Sequence, residues 1–205
     1  MFRYGSEAFW LVGMALQGPA ARTALDLGTG SGIAALLLAA RGIAATGIDV
    51  RPEWAEGWAR SVAESAASAD LRVADVRAWR GERVDLVVSN PPFFAVRSGP
   101  AAADPWKAAA RTEGEATLAD FVTAATHLGG RACFVVPVER GEEVAAAAAL
   151  AGWHAARRVQ VGRRRALLDL RPGEGAAVVE RVGEDDPQVA AWYALARSTP
   201  PRGAG

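Results

Sequence analysis

From residue 23 onward the chain alternates short apolar runs with longer segments of helical character, and this alternation constrains the fold more than any other feature. Residues 23–27, 45–50, 71–76 and 84–89 are short and apolar, and each runs into a polar or glycine-rich turn. Between them, 31–41 and 52–68 are long enough for helices, the second opening with Pro52 in its first turn and Glu53 just inside it. Successive parallel strands need crossovers, and those crossovers are almost always right-handed. The pattern therefore predicts an α/β chain with a doubly wound sheet and helices on both faces.

The second half continues the scheme and then breaks it. A helix is expected over 117–128, a strand over 131–136 and an alanine-rich helix over 139–150, with Gly129, Gly130 and Gly152 at helix ends. The runs 154–161 and 165–170 are separated only by a short turn around Gly162, so they must be antiparallel. The expected architecture is a Rossmann-like, seven-stranded sheet, mostly parallel, closing in a C-terminal antiparallel hairpin. Residues 97–114 read as a loop, 5–18 as an N-terminal helix and 187–197 as a C-terminal one.

At 205 residues the chain fits one domain, taken as 1–197, with 198–205 as a flexible tail containing Pro200-Pro201. The longest apolar runs, 33–40 and 144–151, fall short of the ~20 residues that span a bilayer. The first seven residues meet charge and glycine before any apolar stretch, unlike a secretory signal, so a cytoplasmic location is expected. Cys133 is the only cysteine; it can form no internal disulfide and leaves no thiolate cluster for zinc, and no metal is expected.

The sharpest local motif is Leu25-Asp26-Leu27-Gly28-Thr29-Gly30-Ser31-Gly32, at the junction of the first strand and its helix. Glycines at alternate positions allow a ligand to approach the backbone where side chains would collide. Their spacing differs from the G-x-G-x-x-G of dinucleotide folds, which argues against a pyrophosphate. At the tip of the second strand stands Asp49, in Gly47-Ile48-Asp49-Val50, where a carboxylate can accept hydrogen bonds from both hydroxyls of a ribose or cap the next helix. A third acidic residue, Asp75, closes the third strand beside Val76.

The fourth motif, Ser89-Asn90-Pro91-Pro92-Phe93, follows the fourth strand. An amine conjugated to a ring is a poor nucleophile because its lone pair is delocalised. If the Asn90 side-chain oxygen and the Pro91 carbonyl each accept one N–H, the lone pair can be aimed at an electrophilic methyl. Pro91 and Pro92 hold those acceptors in place beforehand, and Phe93, with Phe94 behind it, offers a flat face for a planar substrate.

With these motifs in this order the chain resembles the class I S-adenosylmethionine-dependent methyltransferases of the small-domain N-P-P-F type. Within them it is similar to the bacterial tRNA adenine N6-methyltransferases that modify the adenine beside the anticodon of a valine tRNA. The likeness spans most of residues 2–172, including Phe2-Arg3-Tyr4-Gly5, the D-L-G-T-G-S-G turn, S-N-P-P-F-F and Ala110-Arg111-Thr112-Glu113; Thr112 stands where that family commonly has histidine. The resemblance implies the class I methyltransferase fold. It also implies S-adenosylmethionine as cofactor, bound by Asp26, Gly28, Thr29, Gly30, Gly32, Asp49, Asp75, Val76 and Asn90, with Asp75 and Val76 meeting the adenine. The implied catalytic residues are Asn90, Pro91, Pro92 and Phe93.

Charge bears on the substrate. Twenty-three basic residues balance twenty-three acidic ones, so no global field attracts a polyanion. Locally, Arg157, Arg158, Arg163, Arg164, Arg165 and Arg171 face only Asp169 between residues 157 and 171, and this stretch is the expected docking surface for RNA, with solvated strand arginines as the alternative. Methyl transfer to adenine N6 in tRNA is the expected reaction. Guanine N2 and glutamine N5 methylation share its acceptor geometry, and a turnover-free cofactor-binding module or a nicotinamide-dependent oxidoreductase are the rivals from other classes. His127 and His154 fall at a helix end and a strand start, apart from these motifs.

Overall fold

The computed structural model describes residues 5–65, 67–92 and 116–198. The strands are β1 (Thr23–Leu27), β2 (Ala44–Asp49), β3 (Asp70–Val73), β4 (Leu86–Ser89), β5 (Ala132–Pro137), β6 (Trp153–Val161), β7 (Arg165–Pro172) and β8 (Val178–Val182). The helices are α1 (Glu7–Leu16), α2 (Ile33–Ala39), α3 (Trp54–Glu64), α4 (Leu118–Leu128), α5 (Gly141–Leu150) and α6 (Pro187–Arg197), with a 3-10 turn at Val138–Arg140 leading into α5.

One sheet runs β3-β2-β1-β4-β5-β7-β6-β8. Strands β1 to β5 are parallel, β7 is antiparallel to both β5 and β6, and β8 is parallel to β6. Only β7 therefore opposes the rest. The sheet has eight strands rather than seven: the expected hairpin is present as β6 and β7, but β8 extends the edge beyond it. β8 has the sequence V-V-E-R-V, with Val178 and Val179 59% and 67% exposed, so it lacks the in-and-out alternation that marks a half-buried strand.

Side chains alternate between two cores on opposite faces of the sheet. On one, Ala24, Leu86, Val88, Cys133 and Val135 meet Leu11 and Met14 of α1, Leu38 of α2 and Trp192 of α6. On the other, Leu25, Leu27, Val87, Phe134 and Leu168 meet Phe121 and Val122 of α4 and Val144 of α5. Helix ends are set locally: Thr117 and Asp120 form a reciprocal capping box on α4, and Asp186 caps α6 ahead of Pro187. Helices α1 and α6 approach so closely that a Cβ at Gly13 would stand 2.2 Å from the Trp192 carbonyl oxygen. Ser198, at the start of the expected tail, is the C-cap of α6, and its carbonyl accepts from Arg41 Nη1 at 2.7 Å; residues 199–205 lie outside the described residues.

Two charged clusters organise the N-terminal ends of the parallel strands. Arg131, 6% exposed, donates through Nε to Asp169 Oδ1 at 2.6 Å and through Nη1 to the Ala15 carbonyl at 2.7 Å. Asp85 Oδ2 accepts from the amides of Arg22 and Thr23 and from the Thr23 hydroxyl, tying the start of β4 to the start of β1. Among the described residues no helix is long and apolar enough to cross a membrane, and no group of three His, Cys, Asp or Glu side chains could hold a metal ion.

Candidate active site

The opposite ends of the parallel strands carry the motifs. Register places Leu27 beside Ile48 on one side and beside Ser89 on the other, and Asp49 beside Val73. The residues that leave the sheet are consequently lined up in the order Asn90, Gly28, Asp49, Ala74. With strands about 4.8 Å apart, Asn90 and Asp49 flank the glycine turn at about 10 Å from one another. Strand order reverses between β1 and β4, which opens the crevice where doubly wound sheets bind ligands.

The turn after β1 is held in an unusual backbone state. Gly28, Gly30 and Gly32 have φ of +69°, +52° and +81°, a region that side-chain-bearing residues rarely enter. A Cβ at Gly28 would lie 3.0 Å from Phe121 of α4, and one at Gly32 would lie 2.8 Å from Leu71. The turn is fastened from both sides: the Thr29 amide donates to the Ile48 carbonyl at 2.9 Å, the Gly30 amide to Asp49 Oδ2 at 2.9 Å, and Trp58 Nε1 to the Gly30 carbonyl at 2.6 Å.

Asp26 lies beneath this turn, 3% exposed, and its Oδ2 accepts from the Thr29 hydroxyl at 2.5 Å. Burial pushes its carboxyl up to about 7, partly opposed by that hydrogen bond, while the Asp49 charge pushes it further up. Asp49 is 5% exposed and also accepts the Arg51 amide on Oδ1 at 3.0 Å. Asp75 is more open and is gripped by Arg77 through amide, Nε and Nη2, which holds its carboxyl below the ordinary value. The Ala74 amide donates to the Asp49 carbonyl at 2.8 Å, so the Asp75 turn is drawn toward the end of β2, while the Val76 side chain is buried in the core.

At the end of β4, the buried Ser89 hydroxyl donates to the Leu27 carbonyl at 2.8 Å and fixes where the chain leaves the sheet. Pro91 is buried and Pro92 half-buried. Asn90 Oδ1 is buried and has no hydrogen-bond partner among the described residues. A lone buried acceptor beside a glycine turn shaped for close approach fits a ligand amino group in that crevice. Phe93, Phe94 and the segment from Ala110 to Glu113 lie outside the described residues.

Comparison with known proteins bears on the chain's family. Residues 24–114 match the family described as a methyltransferase domain. The chain is 31% identical over 170 residues, 75% of its own length and 71% of the other's, to the tRNA1(Val) (adenine(37)-N6)-methyltransferase of Tolumonas auensis. It is 32% identical over 185 residues, 80% and 73% of the two chains, to the protein of the same name from Klebsiella pneumoniae. This chain belongs to the tRNA1(Val) (adenine(37)-N6)-methyltransferase family. Among solved structures, a predicted O-methyltransferase from Agrobacterium tumefaciens aligns over 92% of this chain and 96% of its own with a TM-score of 0.67 at 18% identity, which shows the shared fold. The protein is an S-adenosylmethionine-dependent methyltransferase with the class I fold.

Several features of this candidate site escaped the sequence. Trp58, Trp54 and Arg51 surround Gly30 and Asp49; aromatic residues at 54 and 58 sit one helical turn apart on α3, a spacing that signals one buried face but not a ligand. Val50 and Val73, 56% and 47% exposed at the ends of β2 and β3, place apolar surface at the same edge. The arginine stretch is largely committed elsewhere: Arg157 pairs with Glu180 at 2.7 Å, Arg158 with Glu142 at 2.5 Å and Arg165 with Glu7 at 3.1 Å, whereas Arg163 and Arg164 are exposed in the β6–β7 turn. His127 and His154 lie toward the other end of the sheet; His154 Nδ1 contacts the Gly173 carbonyl at 2.9 Å.

Proposed function

We propose that the protein transfers the methyl group of S-adenosylmethionine to the exocyclic N6 of an adenine in tRNA, in the crevice between the ends of β1 and β4. The observation that carries this reading is the buried, unpartnered Asn90 Oδ1. When bound, S-adenosylmethionine supplies a sulfonium methyl whose C–S bond breaks as the N–C bond forms.

The chain's part is alignment. Gly28, Thr29, Gly30 and Gly32 provide the close backbone floor, Asp26 sits below it, and Asp49 accepts from the ribose hydroxyls. Asp75 and the Val76 backbone meet the adenine of the cofactor, with Val50 and Val73 as its apolar surroundings. Asn90 Oδ1 and the Pro91 carbonyl each accept one N–H of the target amine, which frees the nitrogen lone pair to point at the methyl, and Pro92 restricts the backbone that holds them. Phe93 stacks on the base once it has left the RNA stack. Holding nitrogen and carbon in line at ~3 to 3.5 Å supplies much of the acceleration. Neither Asn90 nor a carbonyl is a base, so the proton displaced from the amine passes to solvent.

The RNA is docked by Arg163 and Arg164. The β6–β7 turn that carries them is at the same end of the sheet as Asn90: Arg165 stands opposite Pro137 at the end of β5, and the Val138 amide donates to the Arg164 carbonyl at 3.1 Å. With β5 between β4 and β7, the turn is two strand spacings, about 10 Å, across the sheet from the end of β4 and at least three residues beyond it along the strand direction, since Ser89 pairs with Phe134 and Arg165 with Pro137. Residues 1–197 act as one methyltransferase domain in the cytoplasm. Incubation with labelled S-adenosylmethionine and unmodified tRNA, followed by mass spectrometry of the nucleosides, is expected to give N6-methyladenosine. N2-methylguanosine, or label in protein glutamine alone, overturns the assignment.

A further inference from the structure

We propose that Arg51 is a second ribose-binding residue, which donates from Nη1 to a hydroxyl oxygen of the cofactor's ribose while Asp49 accepts that sugar's O–H bonds. The inference rests on the placement of the ribose at Asp49.

Arg51 is fixed from three directions. Its amide donates to Asp49 Oδ1 at 3.0 Å, its Nε lies 3.5 Å from the same oxygen, and its guanidinium sits 5.6 Å from the centre of the Trp54 ring. The side chain is three-quarters buried, and Nη1 is fully buried with no acceptor among the described residues. A buried guanidinium N–H without an acceptor is costly, and native proteins seldom leave one unexplained. Asn90 Oδ1 and Arg51 Nη1, both buried at this end of the sheet without a partner among the described residues, are complementary in kind: one is an acceptor and the other a donor.

The chemistry of a vicinal diol suits this pair. Each hydroxyl both donates and accepts, a carboxylate can only accept, and a guanidinium can only donate. Asp49 already spends acceptor capacity on the Gly30 and Arg51 amides, so it can take the O–H protons but leaves the hydroxyl oxygens without donors. Arg51 Nη1, rooted beside the same carboxylate, provides one. The ion pair with Asp49 also keeps the guanidinium from adding uncompensated positive charge next to a cationic cofactor.

Isothermal titration calorimetry with S-adenosylhomocysteine and its 2′-deoxy and 3′-deoxy ribose analogues tests this, on the full chain. Arg51→Met is expected to weaken S-adenosylhomocysteine binding about tenfold or more, and Arg51→Lys, shorter and without the planar fork, to restore little. With one of the two deoxy analogues the gap between wild type and Arg51→Met should shrink to within threefold, because the hydroxyl that Arg51 serves is gone. An equal gap with all three ligands, as expected of a structural role or of stacking on the purine, overturns the proposal, as does the absence of any gap. Asp49→Asn separates the two levels: if it leaves S-adenosylhomocysteine affinity unchanged, the ribose placement itself fails. Circular dichroism of each variant confirms that it folds.

Discussion

The two ends of the sheet carry comparable buried charge and treat it in opposite ways. Where the parallel strands begin, the chain meets nearly every polar atom itself: Arg131 is bonded to Asp169 and the Ala15 carbonyl, and Asp85 takes three donors from β1 and the residue before it. Arg171 Nε is the exception there. Where the strands end, Asp26 is buried against its preference for the charged form, three glycines hold left-handed backbone, and Asn90 Oδ1 and Arg51 Nη1 are left open. At one end the ion pairs close within the fold, beside a cavity lined by Arg83, Asp85, Arg131 and Arg171; at the other, buried polar atoms are left that the proposed function assigns to ligands.

Four perturbations would break or sharpen that contrast. The largest effect is expected for Asp169→Ala, which strands the buried Arg131 guanidinium and should cost about 3–5 kcal/mol in urea unfolding, while Arg131→Met with Asp169→Leu recovers most of it. Equal destabilisation by the single and double changes would mean that the loss does not come from the stranded guanidinium and that the pair itself is stabilising. Asn90→Ala should lower kcat about 10²–10³-fold, by analogy with the loss of one preorganised partner of the reacting group, with S-adenosylhomocysteine affinity retained. A variant that keeps its rate would remove Asn90 from catalysis.

Asp26 gives a pH signature. Its carboxyl is raised from 3.8 to about 7 in the fold, so between those values the native chain holds a proton that the unfolded chain releases, and stability falls as pH rises. Asp26→Asn cannot ionise, so its stability should gain on wild type by about 1.4 kcal/mol per pH unit across that window, with no further gain above it. Parallel stability curves between pH 4 and 8 would contradict this. The smallest effect is expected for Arg163→Ala with Arg164→Ala: tRNA affinity should fall several-fold near physiological salt and the slope of log affinity against log salt should drop by about 2. An unchanged slope would place the RNA elsewhere.

Features that depend on neighbours in sequence were legible, and those that depend on distant partners were not. Strand β1 was read at its exact bounds, because an apolar run closed by a glycine turn is a local signal. The order of Asp26, Asp49, Asp75 and Asn90 at successive strand ends also followed from the alternation alone. The ion pairs within the arginine stretch were not legible because its counter-charges are remote: Glu7 is 158 residues from Arg165, and Glu180 is 23 from Arg157. Asp169, read as the lone acid among arginines, proved to be the buried partner of Arg131, 38 residues away. Strand β8 was missed because an edge strand with one partner need not alternate. Arg51 was missed because a polar residue between Val50 and Pro52 looks like an ordinary helix approach until its buried Nη1 is seen.

The contact between α1 and α6 has a consequence for how the protein is made. Gln17 accepts a hydrogen bond from Trp192, 175 residues further along, and Gly13 allows the two backbones to touch. During synthesis the surface of α1 around Gly13 and Gln17 therefore waits for Trp192, made 175 residues after Gln17, before it is covered. Contacts between residues so far apart in sequence slow folding, and the wait they impose makes helix α1 a natural client for chaperones.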